Sequence, residues 1–195
     1  HKAVNEGLSN VFRSSSTSSF VRIELLNSNT QQLLDESIML FDSSFDDNVT
    51  AEDAIKFTNQ DETLGIIVAG QSLAIAKNNS AQIGNVYPLS FLNQRGTDYT
   101  FSIEIQQLDQ VQPVLVDNYL MSRTPLQSGI NNVNVNIDSN VQSQNPNRFN
   151  IEFETVTLSN GDVSLDGMIS LYPNPVKDIL NIELTSILKQ ESLSI

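Results

Sequence analysis

The sequence predicts an all-β protein: an antiparallel β-sandwich over residues 20–155, followed by the beginning of a small second β-domain. Three observations carry that expectation. Apolar and polar residues alternate at period two in short runs, most clearly where Tyr99, Phe101, Ile103 and Ile105 oppose Asp98, Thr100, Ser102 and Glu104. That is the spacing of a strand with one buried face. Gly, Pro, Asn, Asp and Ser interrupt these runs every 8 to 12 residues or so, roughly as sandwiches and barrels require. No stretch of helical period exceeds a turn or two, Ala51 to Phe57 being the one candidate. Nothing therefore supplies the crossover helices of a βαβ sheet.

Residues 1–19 end in a Ser/Thr run, Ser14 to Ser19, too polar for a core, and read as a linker or the tail of an upstream domain. Phe20 to Leu26 places Val21, Ile23 and Leu25 opposite Arg22 and Glu24. Asn27 to Thr30 is turn chemistry, and Leu33 to Phe41 returns as the second strand of a hairpin. An acidic loop fills Phe41 to Ala54, and Asn59 to Glu62 is a further turn. Leu64 to Ala69 and Ser72 to Lys77 form two strands joined at Gly70-Gln71, where glycine in the first central position suits a type II′ turn. Val86 to Leu92 is a strand whose Pro88 argues for a sheet edge or a bulge.

Asn93 to Gly96 turns the chain into the central strand, Asp98 to Leu108. Pro113 to Tyr119, Val133 to Ile137 and Arg148 to Phe153 complete a sandwich of jelly-roll type. Its expected core includes Val21, Ile23, Tyr99, Phe101, Ile103, Phe149, Ile151 and Phe153. The turn pairs Asn160-Gly161 and Asp166-Gly167 mark residues 156–168 as a linker to a second domain at 169–195.

Composition narrows the function. Ten Lys and Arg against 23 Asp and Glu leave a net charge of −13 and a pI near 4.2. Such a surface cannot release phosphate counterions, so nucleic acid is excluded as a partner and an anionic membrane surface is disfavoured. No apolar run approaches the length that spans a bilayer. Cysteine is absent, which removes disulfides, thiolate nucleophiles and thiolate metal sites, and is compatible with export. The first residue is His1 rather than Met, so we expect a fragment or a processed form.

His1 is also the single histidine, and a Ser-His-Asp or Cys-His mechanism needs such a base inside the fold. No phosphate-cradling glycine loop, dinucleotide fingerprint or histidine metal pair is present, so catalysis is not expected. The acidic loop offers Asp42, Asp46, Asp47 and Asp53, hard oxygen ligands of the kind Ca²⁺ takes six to eight of, although the spacing is not an EF-hand. The other reading is a solvated loop whose charges keep a β-protein soluble, and we favour it. A surface glycan is a further possible partner for a sandwich. Trp is missing, however, and Tyr87, Tyr99 and Tyr119 sit in or beside alternating strands, where core or rim packing is expected.

The most specific stretch runs from Ile169 to Leu184. Pro173 and Pro175 fix φ in the extended region and bias Tyr172 and Asn174 the same way. Leu180, Ile182 and Leu184 then alternate with Asn181 and Glu183. A stiff lead-in thus feeds a new strand. The run Leu171-Tyr172-Pro173-Asn174-Pro175, with Leu180, Asn181 and Ile182 at the matching offsets, closely resembles the opening of the type A C-terminal sorting domain of type IX secretion cargo. The resemblance covers residues 169–195, and the family continues through further strands.

It implies an exported, non-catalytic region, secreted or on the cell surface, recognised by the outer-membrane translocon and its shuttle barrel. In the family a sortase commonly removes this domain as cargo is attached to surface lipopolysaccharide. Leu171, Tyr172, Pro173, Asn174, Pro175, Leu180, Ile182 and Leu184 are then the sorting-signal residues. The preceding region is similar to a β-sandwich module found upstream of sorting domains in large surface proteins. The similarity rests on Phe41-Asp42, Phe45-Asp46, Pro88-Leu89, Phe91, Gly96, Tyr99, Phe101, Ile103, Val114, Leu115, Asp117, Arg148, Phe149 and Phe153. An accessory carbohydrate-binding or adhesive module of a larger extracellular enzyme is the alternative.

Overall fold

The computed structural model of the chain describes residues 19–58 and 60–156 in full and, beyond them, the backbone of two short strands at 169–172 and 181–184. The expected linkers at 1–19 and 156–168 lie outside the described residues except for Ser19 and Val156, and so does Asn59 of the expected turn. The chain divides into two compact units, His1–Val156 and Thr157–Ile195.

The protein is all-β, with no helix among the described residues. The first unit contains β1 (Ser19–Asn27), β2 (Leu33–Phe41), β3 (Ala54–Ile55), β4 (Thr63–Val68), β5 (Gln71–Asn78), β6 (Val86–Leu92), β7 (Asp98–Gln106), β8 (Gln112–Asp117), β9 (Ser122–Pro125), β10 (Gly129–Asn136) and β11 (Phe149–Glu154). They form one mixed sheet in the order β10-β7-β1-β2-β5-β4-β6-β11-β8-β9, with β3 attached to β5. In the second unit β12 (Ile169–Tyr172) pairs antiparallel with β13 (Asn181–Leu184).

Period two does what the sequence required of it. β1 sets Val21, Ile23 and Leu25 opposite Ile105, Ile103 and Phe101 of β7, and all six are buried. β7 lies between β1 and the edge strand β10, so it is not central in the sheet, although Tyr99, Phe101 and Ile103 place it in the core. Each residue of the expected core is at most 1% exposed. Rings from distant parts of the strand order meet edge to face: Phe91 of β6 with Phe101 of β7 at 6.0 Å, Phe101 with Phe149 of β11 at 5.0 Å, and Phe41 of β2 with Phe153 of β11 at 5.6 Å. The sheet therefore curls until its two halves share one core, each ring pair adding about 0.5–1.5 kcal/mol beyond its buried area.

Several local expectations are corrected. β2 and β5 pair parallel, Ile38 opposite Ile75, so the sheet is not antiparallel throughout. Val68 pairs with Gln71, which makes Ala69-Gly70 the turn; their φ values of 48° and 78° match type I′ rather than II′. β6 is interior to the sheet despite Pro88. β11 pairs with Val86 to Pro88, β4 pairs with Leu89 to Leu92, and the proline stands where the first ladder ends. Ala51 to Phe57 holds no helix, only β3 on the flank of β5.

The ring stack generates a stability prediction. Phe101→Ala should cost about 3–5 kcal/mol in urea denaturation, the usual range for removing a buried ring. Phe57→Ala, at a side chain that is 83% exposed, should stay within about 0.5 kcal/mol of the parent.

Candidate functional site

The sorting-signal residues belong to the second unit. Leu171 and Tyr172 lie on β12 and face Ile182 and Asn181 of β13, while Leu184 pairs with Ile169. The stiff lead-in expected from the prolines is thus, up to Tyr172, itself a strand. Pro173, Asn174, Pro175 and Leu180 lie outside the described residues.

The acidic loop follows β2. Asp42 accepts the amide of Ser44 at 2.9 Å and its hydroxyl at 2.6 Å, and these bonds hold its carboxyl below the ordinary value. Asp46 is held low in the same way by the Asn48 amide at 2.9 Å and side chain at 2.8 Å. Asp47 accepts the Asn79 amide at 2.8 Å. Asp53 accepts Lys77 N and Thr50 N, each at 2.7 Å. All four carboxylates thus terminate backbone N–H groups, two within the loop's own turns and two on or beside β5. Among the described residues no three Asp, Glu, His or Cys side chains converge on a point that could hold an ion.

Two buried polar networks stand out more strongly than the loop. Glu62 is 5% exposed and receives the Tyr99 hydroxyl at 3.0 Å and Arg95 Nη2 at 2.9 Å. Gly96 donates its amide to the same tyrosine oxygen at 2.5 Å, and a Cβ there would stand 3.1 Å from that oxygen, a tight fit. Burial pushes Glu62 up, but Arg95 and the other donors outweigh it and leave the carboxyl below its usual value.

The second network joins Arg148 to Asp117. The guanidinium fork donates from Nε to Oδ1 at 2.8 Å and from Nη2 to Oδ2 at 2.6 Å. Its Nη1 reaches the Asn136 carbonyl at 2.9 Å and the Ser143 hydroxyl at 3.1 Å. The guanidinium carbon lies over the rings of Tyr119 and Phe149, 4.9 Å and 4.7 Å from their centroids. Asp117 also accepts the amides of Tyr119 and Leu120. Burial raises Asp117, yet the Arg148 hydrogen bonds win and its pKa is lowered. Sequence reading named both residues as positions in a pattern without seeing that they pair, because 31 residues separate them.

The three tyrosines each have partners within the fold. Tyr99 is buried on Glu62, Tyr87 packs edge-on against Phe41 and Phe153, and Tyr119 stacks with Arg148 and donates to Asp138 at 2.9 Å. A depression of about 540 Å³ runs past Asn93, Gly96, Thr97, Asp138, Gln144 and Pro146. Its carboxylate, Asp138, is held low by the Asn140 amide and the Tyr119 hydroxyl. A general acid working near neutrality needs a carboxyl pushed up. Asp42, Asp46, Glu62, Asp117 and Asp138 are all moved down. Near neutrality these five are anionic and accept hydrogen bonds from backbone and side-chain donors.

Acid stability follows from the two networks. Asp117 and Glu62 titrate below their ordinary values when folded, so the unfolded chain binds more protons around pH 4. Their stabilisation is complete above the unfolded carboxyl value of about 4 and is lost as pH falls through the lower folded values. Asp117→Asn should flatten that acid limb in melting curves taken across pH. At neutral pH it should cost about 3–5 kcal/mol, because Arg148 is left buried without a counter-charge. Removing Glu104 from its half-exposed pair with Arg22 should cost about 0–1 kcal/mol.

Compared with protein-family models, with curated proteins and with solved structures, the chain gives no match.

Proposed function

We propose that this chain is the non-catalytic C-terminal region of an exported, secreted or cell-surface protein, and that the segment from Leu171 is an address read by the type IX outer-membrane translocon and its shuttle barrel. The observation that supports this most is the strand pair β12–β13. Leu171-Tyr172 of the sorting-like motif ends one strand and Asn181-Ile182 begins its antiparallel partner, so the Pro-Asn-Pro run falls in the connection between them. The described motif residues, Leu171, Tyr172, Asn181, Ile182 and Leu184, thus lie on two paired strands, in a unit separate from residues 19–156.

The hairpin also carries a means of recognition. A two-stranded hairpin is marginal in water by itself. Among the described residues β12 and β13 pair only with each other. Edge-strand addition gives affinity through main-chain hydrogen bonds, with alternate side chains supplying selectivity. A translocon that reads many cargoes needs that combination.

The test is a reporter fused to residues 19–195 with the native continuation of the chain, expressed in a host that has the secretion system. Deleting everything after Gly167 should abolish appearance of the reporter outside the cell. Pro173→Ala with Pro175→Ala should reduce it, because two restored N–H groups and freer φ angles loosen the connection. Undiminished export after the deletion would remove the sorting reading altogether.

A further inference from the structure

Among the described residues the sheet ends in β9 on one side and β10 on the other, and the two ends are built differently. β9 is four residues long, ends in Pro125 and carries Arg123, which is paired with Glu152 and Glu154. Short length, proline and charge are the usual devices that keep an edge from pairing. β10 has none of them. It runs for eight residues in unbroken register against β7, and no Pro, Lys, Arg, Asp or Glu occurs from Gly129 to Asn136.

Hydrogen bonds at the ends of the ladder tell which groups of β10 face outward. Ile137 donates its amide to the Thr97 carbonyl at 2.7 Å, so Val135, Val133 and Asn131, in step with it, bond to β7. Ser28 donates to the Asp98 carbonyl at 3.2 Å, in agreement, since β7 then turns its other set of groups toward β1. The N–H and C=O of Ile130, Asn132 and Asn134 therefore point away from β7, where no described strand lies, and all three residues are exposed. Asn136 belongs to the same set, but its carbonyl accepts Arg148 Nη1 at 2.9 Å, which closes the free stretch at Asn134.

Charge selects what fills this edge. The chain carries −13, so two copies repel over most of their surfaces. From Thr124 to Ile137, however, there is no charged residue, and two such strips meet without apposing carboxylates. We infer that β10 pairs antiparallel with β10 of a second copy of this chain, about a two-fold axis at Asn132. In that register Asn132 faces its mate and Ile130 faces Asn134, so every outward N–H and C=O of the three residues has a partner. The two Asn132 carboxamides each offer the other a donor and an acceptor. Gly129 falls opposite Val135 and Asn131 opposite Val133, with no like charges across the seam. Moving the axis to Asn134 would need the Asn136 carbonyl, which Arg148 holds, and moving it to Ile130 would leave Asn134 beyond the end of the strand. Because β9 is blunted, the pairing closes at two copies. The inference uses residues 129–136 alone and is independent of the export reading, so either can fail without the other.

The test is sedimentation velocity of the 195-residue chain from roughly 1 μM to 1 mM, where a monomer should pass into a dimer. Asn132→Pro removes an outward N–H without touching the β7 ladder. It should raise the dimer Kd about tenfold or more, through the loss of the two central hydrogen bonds. Cross-linking checks the same register and decides where the proline also lowers the melting temperature. The chain has no cysteine, so Asn132→Cys sets one thiol against its mate's and should oxidise to a covalent dimer. Asn134→Cys, opposite Ile130, should do so far more slowly. A chain that stays monomeric over the whole range overturns the inference. That includes a monomer whose Asn132 and Asn134 amides resist hydrogen exchange, since another segment of the chain then covers the edge. Equal cross-linking by the two cysteine variants overturns it too, as does dimerisation that a folded Asn132→Pro leaves undiminished.

Discussion

The buried Arg148–Asp117 pair is the constraint on which one end of this fold depends. Two charges taken out of water are costly unless geometry and extra hydrogen bonds restore what solvent supplied. Here they do, through a bidentate fork, a backbone carbonyl, a serine hydroxyl and two aromatic faces. Because those partners come from the end of β8, the end of β10 and the loop before β11, one side chain fixes three segments. It also fixes register. Phe149 pairs with Asp117, and a slip of one residue would part Arg148 from its carboxylate and turn Phe149, Ile151 and Phe153 away from the core. Nonspecific burial cannot enforce that choice; a fork with one acceptor can.

The parallel pairing of β2 with β5 explains the acidic loop. A parallel neighbour cannot be reached by a tight turn, so the chain must travel through residues 42–70 before β5 begins. A long excursion leaves backbone amides that no ladder satisfies. Asp42 and Asp46 close turns within it, while Asp47 and Asp53 tie it to Asn79 and Lys77. The carboxylate density that suggested an ion in the sequence is thus accounted for by backbone geometry. Lys56 serves the same excursion from inside, pairing with Asp35 at 2.6 Å while the other oxygen of Asp35 accepts the Leu64 amide.

What was legible in the sequence was whatever period two and turn residues encode locally. β1, β7 and β11 alternate cleanly and were readable with their buried faces, whereas β2 was readable as a strand but not by face, because Ser37 is buried beside the apolar run Ile38 to Phe41. β10 was readable only from Val133, because Ile130, Asn131 and Asn132 lie on a largely exposed edge strand where burial imposes no alternation. β9, Ser-Arg-Thr-Pro, is an exposed edge with no apolar face to signal it. Pro88 misled because a proline argues against the middle of a sheet, and nothing local reveals that one ladder ends there. Most of the polar interior was also hidden. Glu62 reads as a turn residue, and only the tertiary fold brings it to Tyr99 across 37 positions.

The charge pattern carries the last step. Each Lys and Arg among the described residues is already in an ion pair: Arg22 with Glu104, Lys56 with Asp35, Lys77 with Glu52, Arg95 with Asp61 and Glu62, Arg123 with Glu152 and Glu154, Arg148 with Asp117. The net charge of −13 is therefore not an even mixture seen by a partner. The cations are committed within the fold, and the unpaired charges left among these residues are carboxylates. Phosphate, sulfate and carboxylate ligands meet repulsion over most of such a surface at distances within a Debye length. On such a surface a small anion is disfavoured relative to a neutral or cationic ligand of the same shape.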